Sequence, residues 1–199
     1  MPDRASWTER WANALGGDAA RGGGPERPPS TWVIERCLAL PADAVIVDVA
    51  AGVGRHAVPL AERGRRVVAP DYVEAAVRAA VGAHPRVRGI VADAGTLPFA
   101  PASLDALLTV NFLDRALFPV FAGLLKPGGS LIVETYTLEQ RRLVESGRAM
   151  APRDPEYMLA PGELAALVAP LEVVDLREGL ADDGAGVRHI ASIVAVRRR

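Results

Sequence analysis

Val45-Ile46-Val47-Asp48-Val49-Ala50-Ala51-Gly52-Val53-Gly54-Arg55-His56 decides the reading of this chain. A continuous apolar run of strand length breaks into a glycine-rich turn, and helix-forming residues follow. Gly52 and Gly54 carry no side chain, so a nucleotide-like ligand can approach the turn backbone closely. Asp48 discriminates further. A dinucleotide phosphate site has no use for a carboxylate there, whereas a site for a cationic amino-acid end does.

The same alternation continues outward. Strands are predicted at Val45–Val49, Arg66–Ala69, Val87–Val91, Leu104–Val110 and from Ser130 to Glu134, with two closing strands near 171–177 and 188–196. Helices are predicted at about 53–63, 73–82, 117–125 and 138–147, with another after Pro161. Gly64 ends the first of them, and Lys126-Pro127-Gly128-Gly129 reads as a helix stop and turn. Continuous apolar strands separated by helices imply an α/β fold. It would be a Rossmann-like three-layer sandwich around a mostly parallel sheet. Ligands in such sheets bind beyond the carboxyl ends of the strands.

The chain has 199 residues, half of them hydrophobic, which suits one packed domain spanning 1–199. Residues 1–40 stand outside the alternation. Ser6 can cap a short helix carrying Trp7 and Trp11. Gly22-Gly23-Gly24-Pro25 breaks the chain, and Ser30 can cap a second helix near 31–40. This segment is read as a helical cap over the site, with Trp7, Trp11 and Trp32 as apolar cover.

A net charge of -1 gives no general attraction to nucleic acid or acidic membranes. Arg197-Arg198-Arg199 reads as a solvated tail. Cys37 is the sole cysteine, so no disulfide forms within the chain; in an apolar helical run it reads as buried filler. No run of about 18 apolar residues exists to span a membrane. The first residues lack the layout of a signal peptide, so a cytoplasmic location is expected.

The carboxyl ends of the strands collect the chemistry. They carry Asp48 with the glycine turn, Asp71-Tyr72, Asp93-Ala94, Asn111, and Glu134 with Tyr136. One such acid is usually a cap or turn former, but one after nearly every strand suits a ligand with a positive centre, vicinal hydroxyls and an exocyclic amine. Asp71 would accept both hydrogen bonds of a ribose diol, and Asp93 one from an adenine amine. Tyr72 would cover the adenine face, and the backbone around Ala50–Gly52 would face the amino-acid part.

These residues resemble a family. Asp48-Val-Ala-Ala-Gly-Val-Gly-Arg55, Val91-Ala-Asp93-Ala94 and Leu125-Lys-Pro-Gly-Gly129 are similar to motifs of the class I S-adenosylmethionine-dependent methyltransferases, in matching order from about residue 40 to the C-terminus. Gly54–Ala57, Asn111-Phe-Leu-Asp-Arg115, Glu134-Thr-Tyr136 and Pro161-Gly-Glu-Leu164 resemble the small tellurite-resistance-like (TehB-like) members. The chain departs at Ala50, where the family usually has glycine. The resemblance implies seven strands with the last antiparallel, S-adenosylmethionine as cofactor, S-adenosylhomocysteine as product and a small-molecule methyl acceptor. An antiparallel last strand begins at the ligand edge, which would bring Arg188 and His189 to the site.

The sulfonium of that cofactor is already activated, so alignment and exclusion of water do most of the work. A base is needed only for an acceptor that arrives protonated. His56, Tyr136 and His189 are the candidates; His84 falls in an exposed turn with no role. Trp11, Arg153, Tyr157 and Arg188 are candidate substrate contacts. No His/Cys cluster has metal-ligand spacing, so no metal is expected. A thiol or chalcogen acceptor needs neither base nor metal.

Three rival readings remain. Gly52-Val-Gly54-Arg-His-Ala57 also satisfies the G-x-G-x-x-A of an NAD(P)-dependent oxidoreductase. A non-catalytic cofactor-binding scaffold is the second. A nucleic-acid methyltransferase is the third; neutral charge and Asn111-Phe112-Leu113 in place of Asn-Pro-Pro-aromatic oppose it.

Overall fold

The structure, a computed structural model, describes residues 8–9, 28–149, 154–182 and 186–199. The strands follow the order β3-β2-β1-β4-β5-β7-β6 in one seven-stranded sheet. The chain divides into two compact units, Met1–Leu97 and Pro98–Arg199. The α/β fold and the antiparallel last strand expected from sequence are both present.

The first unit contains α1 (Thr31–Leu38), β1 (Val45–Val49), α2 (Ala57–Glu62), β2 (Arg66–Asp71), α3 (Glu74–Ala83) and β3 (Val87–Val91). Its strands pair in parallel, β1 with β2 and β2 with β3. Ser30 caps α1, its hydroxyl accepting from the Val33 N–H, a contact type worth about 1 kcal/mol. Trp32, Val33, Ile34 and Cys37 form the buried side of that helix, and Arg36 lies over the Trp32 ring. Trp32 is thus core in its own unit, while Trp7 and Trp11 lie outside the described residues.

Helix α2 begins later than the sequence predicts. Gly52 and Gly54 adopt φ +56 and +85, which holds 52–56 in turns and delays the helix to Ala57. It ends at Gly64, as expected, where φ is +85 and the N–H bonds Ala61 O. A Cβ on Gly54 would stand 2.9 Å from Val58 Cγ2 and 3.1 Å from Ala80 Cβ. Glycine there lets α3 close against the turn.

The second unit contains β4 (Leu104–Val110), α4 (Phe118–Leu124), β5 (Leu125–Tyr136), α5 (Gln140–Glu145), α6 (Glu163–Leu167), β6 (Glu172–Asp182) and β7 (Val187–Val196). Strand β5 runs parallel to β4, and β7 is antiparallel to both β5 and β6. The helix does stop before Lys126-Pro127-Gly128-Gly129, at Leu124, but the expected turn is corrected: these residues belong to β5. Leu104 pairs with Leu125 and Ala106 with Ser130, so the intervening residues bulge out of the ladder. Lys126 reaches Asp105 at 2.6 Å, and Gly128 N–H donates to Arg197 O. Arg197 in turn donates through Nη1 to Leu125 O and Gly123 O. It fastens the bulge rather than belonging to a solvated tail. The closing strands also run longer than expected.

Candidate functional site

Past β1 the backbone turns sharply. Ala50 takes φ +55 and Gly52 φ +56. Ala51 N–H donates to Pro70 O, Gly52 N–H to Asp71 Oδ2 at 2.8 Å, and Gly54 N–H to Ala51 O. The left-handed region strains an L-residue with a Cβ by roughly 1–2 kcal/mol. Ala50→Gly is therefore expected to raise stability by about 1 kcal/mol in thermal melts. An unchanged or lower melting point would show that the turn carries no strain at Ala50.

Asp48, in β1 just before this turn, is 3% exposed. Burial raises its pKa to about 7. The Arg55 charge and the Ala57 N–H oppose that shift, while Asp71 adds to it. One carboxylate oxygen, Oδ2, has no hydrogen-bond partner. A buried carboxylate with an unfilled oxygen fits a cationic ligand group. The residues present fit S-adenosylmethionine on that ground.

Asp71 ends β2, 5% exposed. Its Oδ2 accepts from Gly52 N–H and its Oδ1 from Val73 N–H at 2.9 Å. Burial pushes its pKa up, and these backbone donors pull it back. Asp71 therefore braces the glycine turn against the start of α3. The Tyr72 N–H donates to it as well. A carboxylate has about four lone-pair sites, so capacity for one further hydrogen bond remains. Asp71 stands opposite Val91 in the β2–β3 register, and Asp93 follows two residues on. Asp93 is exposed; its Oδ1 accepts from Gly95 N–H at 2.8 Å and starts the short 3-10 turn Ala94–Thr96. Tyr72 and Ala94 are half-buried beside these acids.

His56 does not stand free as a base. It is 3% exposed, and its Nε2 accepts from Ser30 N–H at 3.1 Å. An accepting Nε2 places the neutral ring's proton on Nδ1. Cys37 is buried, and its thiol is pushed up to about 12 by burial, then by Asp48, with Arg65 opposing. It is inert filler, as expected.

In the second unit, Asn111 adopts φ +57 and donates its N–H to Glu134 O. Its buried Oδ1 has no partner. Tyr136 packs in an apolar cluster with Met158 and Ile190. Glu134 is fully buried; its Oε2 accepts from Ser192 Oγ at 3.0 Å and Arg177 Nη2 at 3.1 Å. Buried Arg188 reaches Glu134 Oε1 at 3.5 Å. His189 Nδ1 meets Thr137 Oγ1 at 2.6 Å, and its N–H donates to Gln140 Oε1. Beyond β5, Tyr157 ends a 3-10 turn, its hydroxyl pKa raised by burial and by Glu156 and Asp154. Arg153 lies outside the described residues. Among the described residues no group of three His, Cys, Asp or Glu could hold a metal ion.

Arg115 is the side chain to which sequence reading gave no role. Its guanidinium binds Glu163 through both carboxylate oxygens and donates to Glu156 O and Met158 O. Glu163 also accepts from Ala160 N–H. The clasp ties 154–163 to the segment after β4. Arg115→Ala is expected to cost about 1 kcal/mol, the upper end for partly exposed pairs. It should also speed hydrogen exchange at Ala160; unaltered exchange there would deny the clasp.

Comparison with known proteins supplies the family context. A family model described as "Methyltransferase domain" matches residues 46–129. The crystal structure of an S-adenosylmethionine-dependent methyltransferase from Methanosarcina mazei superposes with a TM-score of 0.70 at 20% identity, covering 85% of this chain and 99% of that one. The fold is that of the class I methyltransferases. A TehB-like methyltransferase from Corynebacterium glutamicum has a TM-score of 0.64 at 16% identity, covering 98% of this chain and 100% of that one. Demethylmenaquinone methyltransferase of Beutenbergia cavernae is 35% identical over 98 residues, 46% of this chain and 40% of the relative. That of Clavibacter sepedonicus is 34% identical over 131 residues, 59% of this chain and 53% of the relative. The chain spans about half the length of these curated relatives. Within the methyltransferase fold, the matched segment opens in β1 and closes at the β5 bulge. It contains Asp48, Asp71, Asp93 and Asn111.

Proposed function

We propose that this chain transfers a methyl group from S-adenosylmethionine to a small-molecule acceptor, a thiol or chalcogen anion. The observation that carries the reading is Asp48 Oδ2, buried and unfilled near the end of the strand that runs into a glycine turn, where an ammonium group would complete it. Asp48 and the Ala50–Gly54 backbone hold the amino-acid end, Asp71 the ribose diol, and Asp93, Ala94 and Tyr72 the base. Asn111, in the second unit, carries a buried Oδ1 without a partner and is a separate candidate for the cofactor. S-adenosylmethionine supplies the methyl group on a sulfonium that needs no activation by the protein. One domain over 1–199, with 1–40 as its cap, belongs to the same proposal.

The acceptor follows from proton bookkeeping. A thiolate or chalcogen anion present near neutral pH needs no base. His56 gives its ring lone pair to Ser30, and Tyr136 packs in an apolar cluster. Tyr157 and Arg188 are the described candidates for holding the acceptor; the candidates Trp11 and Arg153 lie outside the described residues. His189, whose Nδ1 meets Thr137 Oγ1, is a candidate base in contact with a hydroxyl. The likeness to demethylmenaquinone methyltransferases favours a second reading, a quinol acceptor, which would require that base.

Calorimetric titration with S-adenosylhomocysteine, with NADH in a parallel cell, tests the cofactor. Saturable binding of the first alone supports the proposal. Binding of NADH alone would replace it with an oxidoreductase, and methyl transfer to no acceptor despite cofactor binding would leave a scaffold. Transfer from labelled S-adenosylmethionine to thiols, selenite, tellurite or a demethylmenaquinol analogue then separates the acceptors.

A further inference from the structure

We propose that His56 is a positioning residue, a peg whose ring nitrogen ties residues 28–30 to the glycine turn so that anchoring of this strap and cofactor affinity are one event. The inference rests on the cofactor reading above.

Two neighbouring residues at the exit of the turn reach the same short strap. His56 Nε2 accepts from Ser30 N–H at 3.1 Å, and Arg55 Nη1 donates to Pro28 O at 3.3 Å. Both ends of the first contact are sealed from water, Ser30 at 1% and His56 at 3% exposed. A backbone donor buried to that degree must be paired. Ser30 is also the cap of α1, so the peg fixes the point where that helix starts. At its other end, the turn is braced by Asp71 through Gly52 N–H. The turn holds Ala50 in a strained conformation, and a strained backbone persists only where its surroundings over-determine it. Asp71 supplies one restraint and His56 with Arg55 the other. Loosening either lets the turn relax away from the shape that presents its backbone to a ligand.

The chemistry of the peg is acceptance of one N–H, which glutamine can reproduce, since its Oε1 sits about as far from Cβ as the histidine Nε2. From the donor side, Ser30 has φ -65, the value proline prefers. Ser30→Pro removes the N–H without forcing the backbone, and Ser30→Ala keeps the N–H while losing the hydroxyl.

Four variants, His56→Ala, His56→Gln, Ser30→Pro and Ser30→Ala, are titrated with S-adenosylhomocysteine, with circular dichroism confirming the fold. His56→Ala and Ser30→Pro are expected to weaken binding by about tenfold or more; His56→Gln and Ser30→Ala should stay within about threefold of the parent. Combining His56→Ala with Ser30→Pro should add no more than Ser30→Ala does alone, because the two share one bond and Ser30→Pro otherwise loses only the hydroxyl cap. If His56→Ala fails to fold, the Ser30 pair decides. Parent-like binding by a folded His56→Ala or by Ser30→Pro would overturn the proposal, as would a His56→Gln as weak as His56→Ala. If the parent protein itself binds no S-adenosylhomocysteine, the cofactor reading fails. The peg is then judged by amide exchange at Ser30: fast in His56→Ala and slow in His56→Gln supports it, and equal rates refute it.

Discussion

Asp71→Ala is expected to remove both the ligand and part of the fold. The carboxylate accepts from backbone donors that include the buried Gly52 N–H and Val73 N–H. Each donor left unsatisfied costs about 1–3 kcal/mol, so with Gly52 and Val73 both orphaned the variant should lose about 2–6 kcal/mol in denaturant unfolding. Its affinity for S-adenosylhomocysteine should fall by a further 1–3 kcal/mol, roughly the value of hydrogen bonds to a charged group. Asp71→Asn has one carbonyl oxygen in place of two, so it should fall between the two proteins in both measurements. A folded Asp71→Ala that melts and binds like the parent would mean that the turn is held elsewhere and the ribose site is misplaced.

Asp48→Asn should do the opposite to stability. The Asp48 pKa is about 7 in the folded chain against 3.8 for the free group. Below pH 3.8 the group is neutral in both states and takes nothing from stability. Between 3.8 and 7 the unfolded chain has released its proton and the folded chain has not. Stability therefore falls as pH rises through that window, by up to about 1.4 kcal/mol per unit. Above 7 the slope vanishes and the full penalty persists. Asparagine removes the charge, so the ligand-free variant should be about 2–4 kcal/mol more stable than the parent at pH 8 and nearly equal to it at pH 4. Its binding should suffer, because the ammonium of the ligand loses its partner. In the parent, S-adenosylhomocysteine affinity should weaken by up to about tenfold per unit as pH falls below 7, and in Asp48→Asn it should be flat there. Denaturant melts and calorimetry across pH 4–8 measure both. A parent-like pH profile in the variant would place the titrating group elsewhere.

What the sequence disclosed, it disclosed through local pattern. Strands β1, β3 and β4 stand where the sequence predicts them. Strand β3 is an edge strand with only Val87 buried, while β1 and β4 are buried along most of their length, which demands nearly continuous apolar residues. Asp48 and Asp71 were visible as acids ending such runs. The start of β5 was misread because Pro127-Gly128-Gly129 is turn chemistry wherever it occurs, and only pairing with β4 and Arg197 shows it as a bulge. The brace from Asp71 to Gly52 and the bond from Ser30 to His56 were hidden for another reason. Each joins residues 19 or 26 positions apart, and no periodicity encodes which backbone N–H a side chain will meet. Arg115 was equally silent, since a surface arginine reads as solvated until its acid partner arrives from another element.

The row formed by Glu134, Ser192 and Arg177 has a consequence for how the sheet finds its alignment. These three residues face one another across adjacent strands, Glu134 opposite Ser192 and Ser192 opposite Arg177. Slippage of β7 by one residue would turn Ser192 to the other face and set an alanine or isoleucine beside a buried carboxylate. That mismatch is far more costly than a shifted valine. The apolar residues of β5 and β7 tolerate neighbouring alignments almost equally well, so they cannot choose among them. The charged row works like a keyway: it does little to hold the strands together, and it allows them to close in one alignment.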